Sequence, residues 1–187
     1  MRYSYNEKKE GLVFAQAYEI NASYKDLCAV CDAVRYSKAK DAKVILDNVI
    51  TMKMPIPFRR HNKYMGARHE LGGKKGAWPV KAAKEVKAVL TNAIANAANE
   101  AKDGEEMYIV HAAANKTHIE RRVPSKGSSV WGRGTYHSHR MYSDFEYAKI
   151  ELGLAEGDEA NLPVTMKRMV KMQTNRTAAK KKMKKEA

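Results

Sequence analysis

The stretch Glu120-Arg-Arg-Val-Pro-Ser-Lys-Gly-Ser-Ser-Val-Trp-Gly-Arg-Gly-Thr-Tyr-His-Ser-His-Arg140 separates two segments of strand character. Upstream, Met107-Tyr-Ile-Val-His111 is rich in β-branched and aromatic residues. Downstream, over Phe145 to Leu152, Ala148, Ile150 and Leu152 alternate with Lys149 and Glu151, the period of a half-buried strand. Pro124 and the glycines between them mark a turn region. The simplest topology is therefore one long antiparallel hairpin over about 107–152. Each arm is roughly 20 residues, about 60 Å long at ~3.3 Å per residue. A domain of ~150 residues has a radius of gyration near ~15 Å, so the hairpin has to project from the core. A two-stranded ribbon is marginal in water on its own, and a partner has to hold it.

Outward from the hairpin, the chain reads as helices. Ser23 can cap a helix with Asp26 three residues on, and Leu27, Val30, Cys31 and Val34 fall on one face. Ser37 offers a second cap before the apolar stripe Ala42, Ile45, Leu46, Val49 and Ile50, which runs to about Thr51. Pro55 and Pro57 then end any helix. Pro79 suits a first helical position, and Ala83, Val86, Leu90, Ile94, Ala97 and Ala101 form the strongest stripe, up to Lys102, with Gly104 as its stop. Lys81, Lys84 and Lys87 stand off that stripe near the helix start, where the dipole repels cations. The expected fold class is α+β: three helices packed on a small antiparallel sheet, with a long protruding β-hairpin and a basic C-terminal tail. Residues 1–152 read as the globular unit. Residues 153–187 read as an acidic linker, Gly153 to Ala160, and a tail ending in Lys180-Lys-Lys-Met-Lys-Lys185. In that tail the spacing of Met166, Met169, Val170 and Gln173 suits one face of a short amphipathic helix, which the mutual repulsion of the terminal lysines opposes.

Across 187 residues, 35 Lys and Arg stand against 21 Asp and Glu, a formal net charge of +14. The 44% hydrophobic share excludes wholesale disorder, and the lack of a long apolar run excludes a membrane-spanning protein. Met1-Arg-Tyr-Ser-Tyr5 has no apolar run of the signal-peptide type, so a cytoplasmic location is expected. With 2 cysteines, no disulfide framework is possible. A positive excess of this size points to a polyanion, and in the cytoplasm to nucleic acid. No membrane, cofactor or small-molecule substrate is expected. The run Pro55-Ile-Pro-Phe-Arg-Arg-His-Asn-Lys-Tyr-Met-Gly-Ala-Arg-His-Glu-Leu-Gly-Gly-Lys-Lys-Gly76 is dense in basic groups and lacks periodicity. A loop of roughly 20 residues in a small domain is uncommon unless functional, and this one reads as ordered by a partner.

Cys28-x-x-Cys31 lacks the second cysteine pair of a structural zinc site and reads as plain buried thiols. Carboxylates are scarce around His61, His69, His111, His118, His137 and His139, where Glu70 and Glu120 stand alone, so histidine-based catalysis is not expected. Gly72-Gly73 and Gly132-Arg-Gly134 match no phosphate-loop fingerprint; they read as points of close backbone approach to a crowded surface. The positive signal is the interleaving of rings with cations in Phe58-Arg-Arg-His-Asn-Lys-Tyr64 and Trp131-Gly-Arg-Gly-Thr-Tyr-His137. Rings stack on unpaired bases while Arg and Lys meet phosphates. The candidate RNA-binding residues are Arg59, Arg60, His61, Asn62, Lys63, Arg68, Lys74, Lys75, Arg121, Arg122, Lys126, Arg133, His137, His139 and Arg140.

The order helix, helix, long third helix, projecting hairpin resembles the large-subunit ribosomal protein L twenty-two family. The matches are Val89-Leu-Thr-Asn-Ala-Ile-Ala-Asn-Ala97 and Gly132-Arg133-Gly134, with Pro55-Ile-Pro-Phe58-Arg-Arg-His-Asn62 similar to the archaeal and eukaryotic branch. The resemblance covers about Gly11 to Leu152. It implies a structural, non-enzymatic protein of the large subunit that binds ribosomal RNA, aids assembly and touches neighbouring ribosomal proteins. It further implies that the hairpin tip, Ser129, Val130, Trp131, Gly132, Arg133 and Gly134, lines the exit tunnel and meets the nascent polypeptide. The family tip often reads Pro-Arg-Ala-x-Gly-Arg-Ala; here Ser129 stands in place of the arginine before the Gly-Arg pair, so tunnel contacts carry over through Arg133. Arg121, Arg122 and Lys126 are placed to supply charge from the outgoing arm. The competing reading is a free-standing RNA chaperone or architectural RNA-binding protein using the same basic surface.

Overall fold

Alternation of apolar and polar residues sets one face of a three-stranded antiparallel sheet against three helices. The computed structural model describes residues 3–5, 11–121 and 144–157. The elements run β1 (Leu12–Asn21), α1 (Tyr24–Val34), α2 (Ala39–Ile50), β2 (Ile56–Pro57), β3 (Ala67–Arg68), a 3-10 turn (His69–Leu71), β4 (Lys74–Ala77), α3 (Val80–Asn99), β5 (Tyr108–Arg121) and β6 (Asp144–Ala155). In the main sheet the strand order is β1-β6-β5, so the returning arm of the hairpin is its centre. Tyr108 pairs with Ala155 at the base, and Arg121 with Asp144 at the far end. This is the expected α+β fold with its hairpin, and β6 continues three residues past Leu152. The tip and the tail lie outside the described residues.

The core side of the sheet presents Val13, Ala15 and Ile20 from β1, Ile109 and Ala112 from β5, and Ala148, Ile150, Leu152 and Leu154 from β6. Against it lie Leu27, Val30, Cys31 and Val34 of α1, Ala42, Leu46 and Val49 of α2, and Ala83, Val86, Leu90 and Ala97 of α3. Alanines at so many of these positions let helices and sheet approach closely, and the leucines fill the space between. The exposed pairs Lys38–Glu106 at 2.7 Å, Lys43–Glu105 at 2.8 Å and Lys87–Asp47 at 2.6 Å tie α2 to its neighbours and add little stability each.

Several helix ends differ from the sequence expectation. Ser23 precedes α1 in an extended conformation, but its side chain makes no capping bond. Ser37 does not cap α2, which starts at Ala39; its hydroxyl donates back to the Val34 carbonyl at 2.5 Å. The reason is that the connection at 36–38 is recruited by β5, with Tyr36 N–H donating to Ile109 O and Ile109 N–H to Ser37 O. Pro79 caps α3 rather than beginning it. Gly104 is not the helix stop: α3 ends at Asn99 and Ala101 takes the left-handed turn at φ 57°. A Cβ on Gly104 would lie 3.0 Å from the Ala97 Cβ and the Ile94 backbone, so glycine there lets the chain cross tightly over α3. β1 is an addition to the expected strands. Its alternation breaks at a bulge between Ala17 and Ile20, where Glu19 has φ 53°.

The other face of the sheet is covered in part by residues 3–5. Tyr3 stacks on Phe14 with ring centroids 4.6 Å apart, and Tyr5 meets His111 edge-on at 5.3 Å. Gly153 makes room for this layer, because a Cβ there would sit 2.8 Å from the Phe14 ring. Beneath the segment Glu151 is fully buried, at 0% exposure.

Candidate nucleic-acid interface

The basic run from Lys53 to Gly76 is built as a small sheet rather than as an irregular loop. Ile56 and Phe58 alternate with Pro57 and enter the core at 2% and 4% exposure. β2, β4 and β3 form a second antiparallel sheet in that order, pairing Pro57 with Gly76 and Arg68 with Lys74. Gly76 is required by its surroundings: a Cβ there would meet Leu71 and lie 2.7 Å from the Ile56 carbonyl oxygen. Gly72 and Gly73 are required by conformation, at φ 65° and 78°, with open space around them. They turn the chain rather than fit it against another part of the protein.

This small sheet sorts the predicted residues. Arg59, Arg60, Lys63, Lys74 and Lys75 are exposed and take no partner among the described residues. Tyr64 stands fully in solvent at 103% exposure, with φ 62°. The Phe58 ring, expected to stack on bases, is instead core; the run contributes Tyr64 as its free ring. Asn62 is half-buried and closes the turn, its amide donating to Phe58 O at 3.2 Å. Arg68 donates from Nε to Gly76 O at 2.9 Å, and its guanidinium lies 4.7 Å over the Trp78 ring, so it braces the sheet. His61 sits at φ 53°, its Nε2 3.2 Å from the Tyr24 hydroxyl.

Behind Arg59–His61 a groove of about 330 Å³ runs between α1 and β5. Its walls include Tyr24, Lys25, Cys28 and Asp32 from α1, Arg35 at the helix C-cap, and Ala113 and Ala114 from β5. Asp32 holds Arg35 at 2.9 Å, and the Arg35 guanidinium also donates to Ala112 O. Of the two cysteines, Cys31 is a core thiol whose burial pushes it up to about 12. Cys28 is half-buried at the groove, its Sγ 3.5 Å from Ala114 O. The α1 residues of this groove are absent from the candidates that the sequence supplies. Their signal is the spacing Tyr24, Cys28, Asp32, Arg35, a polar stripe beside the apolar one.

Along the hairpin, every β5 side chain from Asn115 to Glu120 is exposed, so the ribbon leaves the core near Ala114. His118 stacks on Tyr147 across the two arms, with centroids 4.5 Å apart and planes at 12°. Lys81 and Lys84 extend the positive surface at the start of α3, without a partner among the described residues. The backbone of Arg121 pairs with Asp144. Arg122, Lys126, Ser129, Val130, Trp131, Gly132, Arg133, Gly134, His137, His139 and Arg140 lie outside the described residues. Among the described residues no three His, Cys, Asp or Glu side chains are grouped to hold a metal ion. No helix among them is long and apolar enough to cross a membrane.

Comparison with known proteins gives the same assignment. The chain is 41% identical over 121 residues to large ribosomal subunit protein uL22 of Methanosphaera stadtmanae, covering 64% of this chain and 79% of the relative. With the uL22 of Archaeoglobus fulgidus it shares 39% identity over 140 residues, 72% of this chain and 86% of that protein. The yeast protein uL22B, from Saccharomyces cerevisiae, is 29% identical over 177 residues, 90% of each chain. Residues 15–141 match the family model described as ribosomal protein L22p/L17e. The exposed cationic sheet, the helical layer and the long hairpin therefore sit on a chain that belongs to the ribosomal protein L22p/L17e family.

Proposed function

We propose that this chain is a structural constituent of the large ribosomal subunit that binds ribosomal RNA and performs no catalysis. The observation that carries the reading is the small sheet. Arg59, Arg60, Lys63, Lys74 and Lys75 are displayed without counter-charges among the described residues, next to a fully exposed Tyr64. Such unneutralised cations on an anchored platform are matched by phosphates, and an exposed ring beside them by an unpaired base. Like-charge repulsion on this scale gives the free protein no advantage. In this reading Arg121, Arg122 and Lys126 add further RNA contacts, and the tip from Ser129 to Gly134 serves the exit tunnel and the nascent chain. Neighbouring ribosomal proteins are further partners, and the location is cytoplasmic, within the ribosome.

The test is a variant carrying Arg59→Ala, Arg60→Ala and Lys63→Ala, titrated with large-subunit RNA across a salt series. The slope of log affinity against log salt should flatten by about 0.7–0.9 for each phosphate no longer neutralised, so by up to about 2–3 for all three. Far-UV circular dichroism should not change, because the three side chains reach into solvent and not into the core. An unchanged slope would move the RNA surface elsewhere on the molecule.

A further inference from the structure

The groove behind Arg59–His61 has more chemistry than charge neutralisation uses. We propose that it is a binding site for a single unstacked nucleotide, its phosphate on Arg59 and Arg60 and its base against His61 and Asp32. This rests on the RNA-binding reading above and names the form of RNA that this face takes.

The volume of about 330 Å³ is at the low end of small-ligand pockets (~300–1,000 Å³), room for one nucleotide rather than a stacked pair. Arg59 and Arg60 form no ion pair among the described residues, whereas Arg35 is already held by Asp32 and the Ala112 carbonyl. The groove therefore offers cations free of ion pairs where a phosphate would arrive, beside a polar wall fixed by the Asp32–Arg35 pair. A paired helix cannot use such a wall, because its bases are stacked and its edges recessed; an extruded nucleotide can. His61 is the second sign. It is not glycine, yet it holds φ 53°, and the Tyr24 hydroxyl 3.2 Å from Nε2 keeps the ring edge-on to Tyr24 at 67°. Strained residues held this way cluster at ligand clamps. The third is Asp32, which lines the groove while its Oδ1 meets Arg35 at 2.9 Å, so the carboxylate is held in place and open to the groove. A carboxylate accepts from an exocyclic amino group, which adenine, cytosine and guanine carry and uracil lacks.

The two cysteines supply the assay. Cys31 is 1% exposed, so alkylation of the full-length chain by a maleimide reads Cys28 at the groove. The reaction is run at alkaline pH, because burial, with Asp32 adding to it, pushes the Cys28 thiol up. Adenosine monophosphate at about ten times its dissociation constant should slow alkylation about tenfold. Uridine monophosphate should bind more weakly, on the order of tenfold, for want of the amino group. Inorganic phosphate should bind the rim without protecting the thiol. His61→Ala should abolish protection by adenosine monophosphate, and Tyr24→Phe should weaken it, both with an unchanged circular dichroism spectrum. Equal protection by phosphate, or none by any nucleotide, overturns the proposal. In complexes with large-subunit RNA, steep salt-dependent binding with Cys28 still fully reactive also overturns it, and leaves the RNA-binding reading standing. Absence of RNA binding defeats that reading instead, and the mononucleotide experiment then judges the groove alone.

Discussion

Replacing Glu151 by Gln should destabilise the folded chain and flatten its response to acid. Glu151 is at 0% exposure, on the sheet face covered by residues 3–5. Its Oε2 accepts from the Ser4 N–H at 2.8 Å and the Ser4 hydroxyl at 2.5 Å, with His111 Nε2 3.4 Å away, while Lys149 ion-pairs with Oε1. Burial alone would raise the carboxyl; the bonds from Lys149, Ser4 and His111 outweigh it and hold it down to about 2, against an ordinary value of 4.5. At about 1.4 kcal/mol per pH unit, that difference corresponds to roughly 3 kcal/mol of folding stability at neutral pH. Removing one partner of a buried pair typically costs ~3–5 kcal/mol, and Lys149, partly exposed, can turn to water, which favours the lower figure.

The sign follows from the direction. A carboxyl depressed by folding stabilises above its unfolded value, so the contribution is complete above pH 4.5 and is lost as pH falls toward about 2. His111 acts in the same sense at higher pH. Burial lowers it below its ordinary 6.5, against the pull of Glu151, so acidification below 6.5 also favours the unfolded chain. Urea melts at pH 7, 5, 4 and 3, followed by far-UV circular dichroism, separate the two groups. Glu151→Gln should lower the midpoint at pH 7, equivalent to a Tm lower by about 6–12 °C for a chain of this size. Its further loss between pH 4.5 and 3 should be shallower than that of the parent. A variant as stable as the parent, with the same acid slope, would refute the account of this cluster.

Two further outcomes follow from close packing and from its absence. Gly76→Ala drives a methyl against the Ile56 carbonyl at 2.7 Å, and should cost about 1–3 kcal/mol and weaken RNA binding with no change of charge, read by filter binding beside a urea melt. Deleting Ser125–Tyr136 and joining the arms by a short turn should leave the Tm of the free chain within about 2 °C, since the β5 side chains from Asn115 to Glu120 are already exposed; unfolding on deletion would make the tip part of the core.

What is legible in the sequence is what repeats. Leu27, Val30, Cys31 and Val34, or Ala83, Val86, Leu90 and Ala97, recur at helical spacing and lie in the core. The β6 alternation is equally plain, and Ala148, Ile150 and Leu152 are all buried. β1 escapes a periodic reading because its bulge shifts the phase partway along, and β2, β3 and β4, at two to four residues, are too short to show a period. Phe58 misleads because its neighbours Arg59 and Arg60 suggest a solvent-facing ring, while the alternation Ile56, Phe58 points inward. Glu151 sits on the polar side of an alternating strand, which reads as solvent. What buries it is Ser4, 147 residues away, a relation no local pattern carries.

The placement of Phe58 beside the cations bears on how the interface works. Five exposed basic residues, Lys74 and Lys75 on β4 and Arg59, Arg60 and Lys63 in the β2–β3 connection, repel one another, and an unanchored loop of that composition would disperse them. Burying Ile56 and Phe58 supplies ~1.5–3 kcal/mol each, enough to hold the run against that repulsion. Arg68, bound to the Gly76 carbonyl and stacked on Trp78, clamps the opposite edge. Ordering a residue's backbone costs ~1–2 kcal/mol, so a platform shaped before the RNA arrives avoids that cost for every residue between Phe58 and Lys75. Charge alone would give the same salt slope whether the loop were ordered or not. Pre-organisation adds a part of the affinity that salt does not touch. Gly76→Ala isolates that part, since it removes no cation: affinity should fall while the salt slope stays unchanged, whereas the triple Arg59, Arg60 and Lys63 variant should lower both.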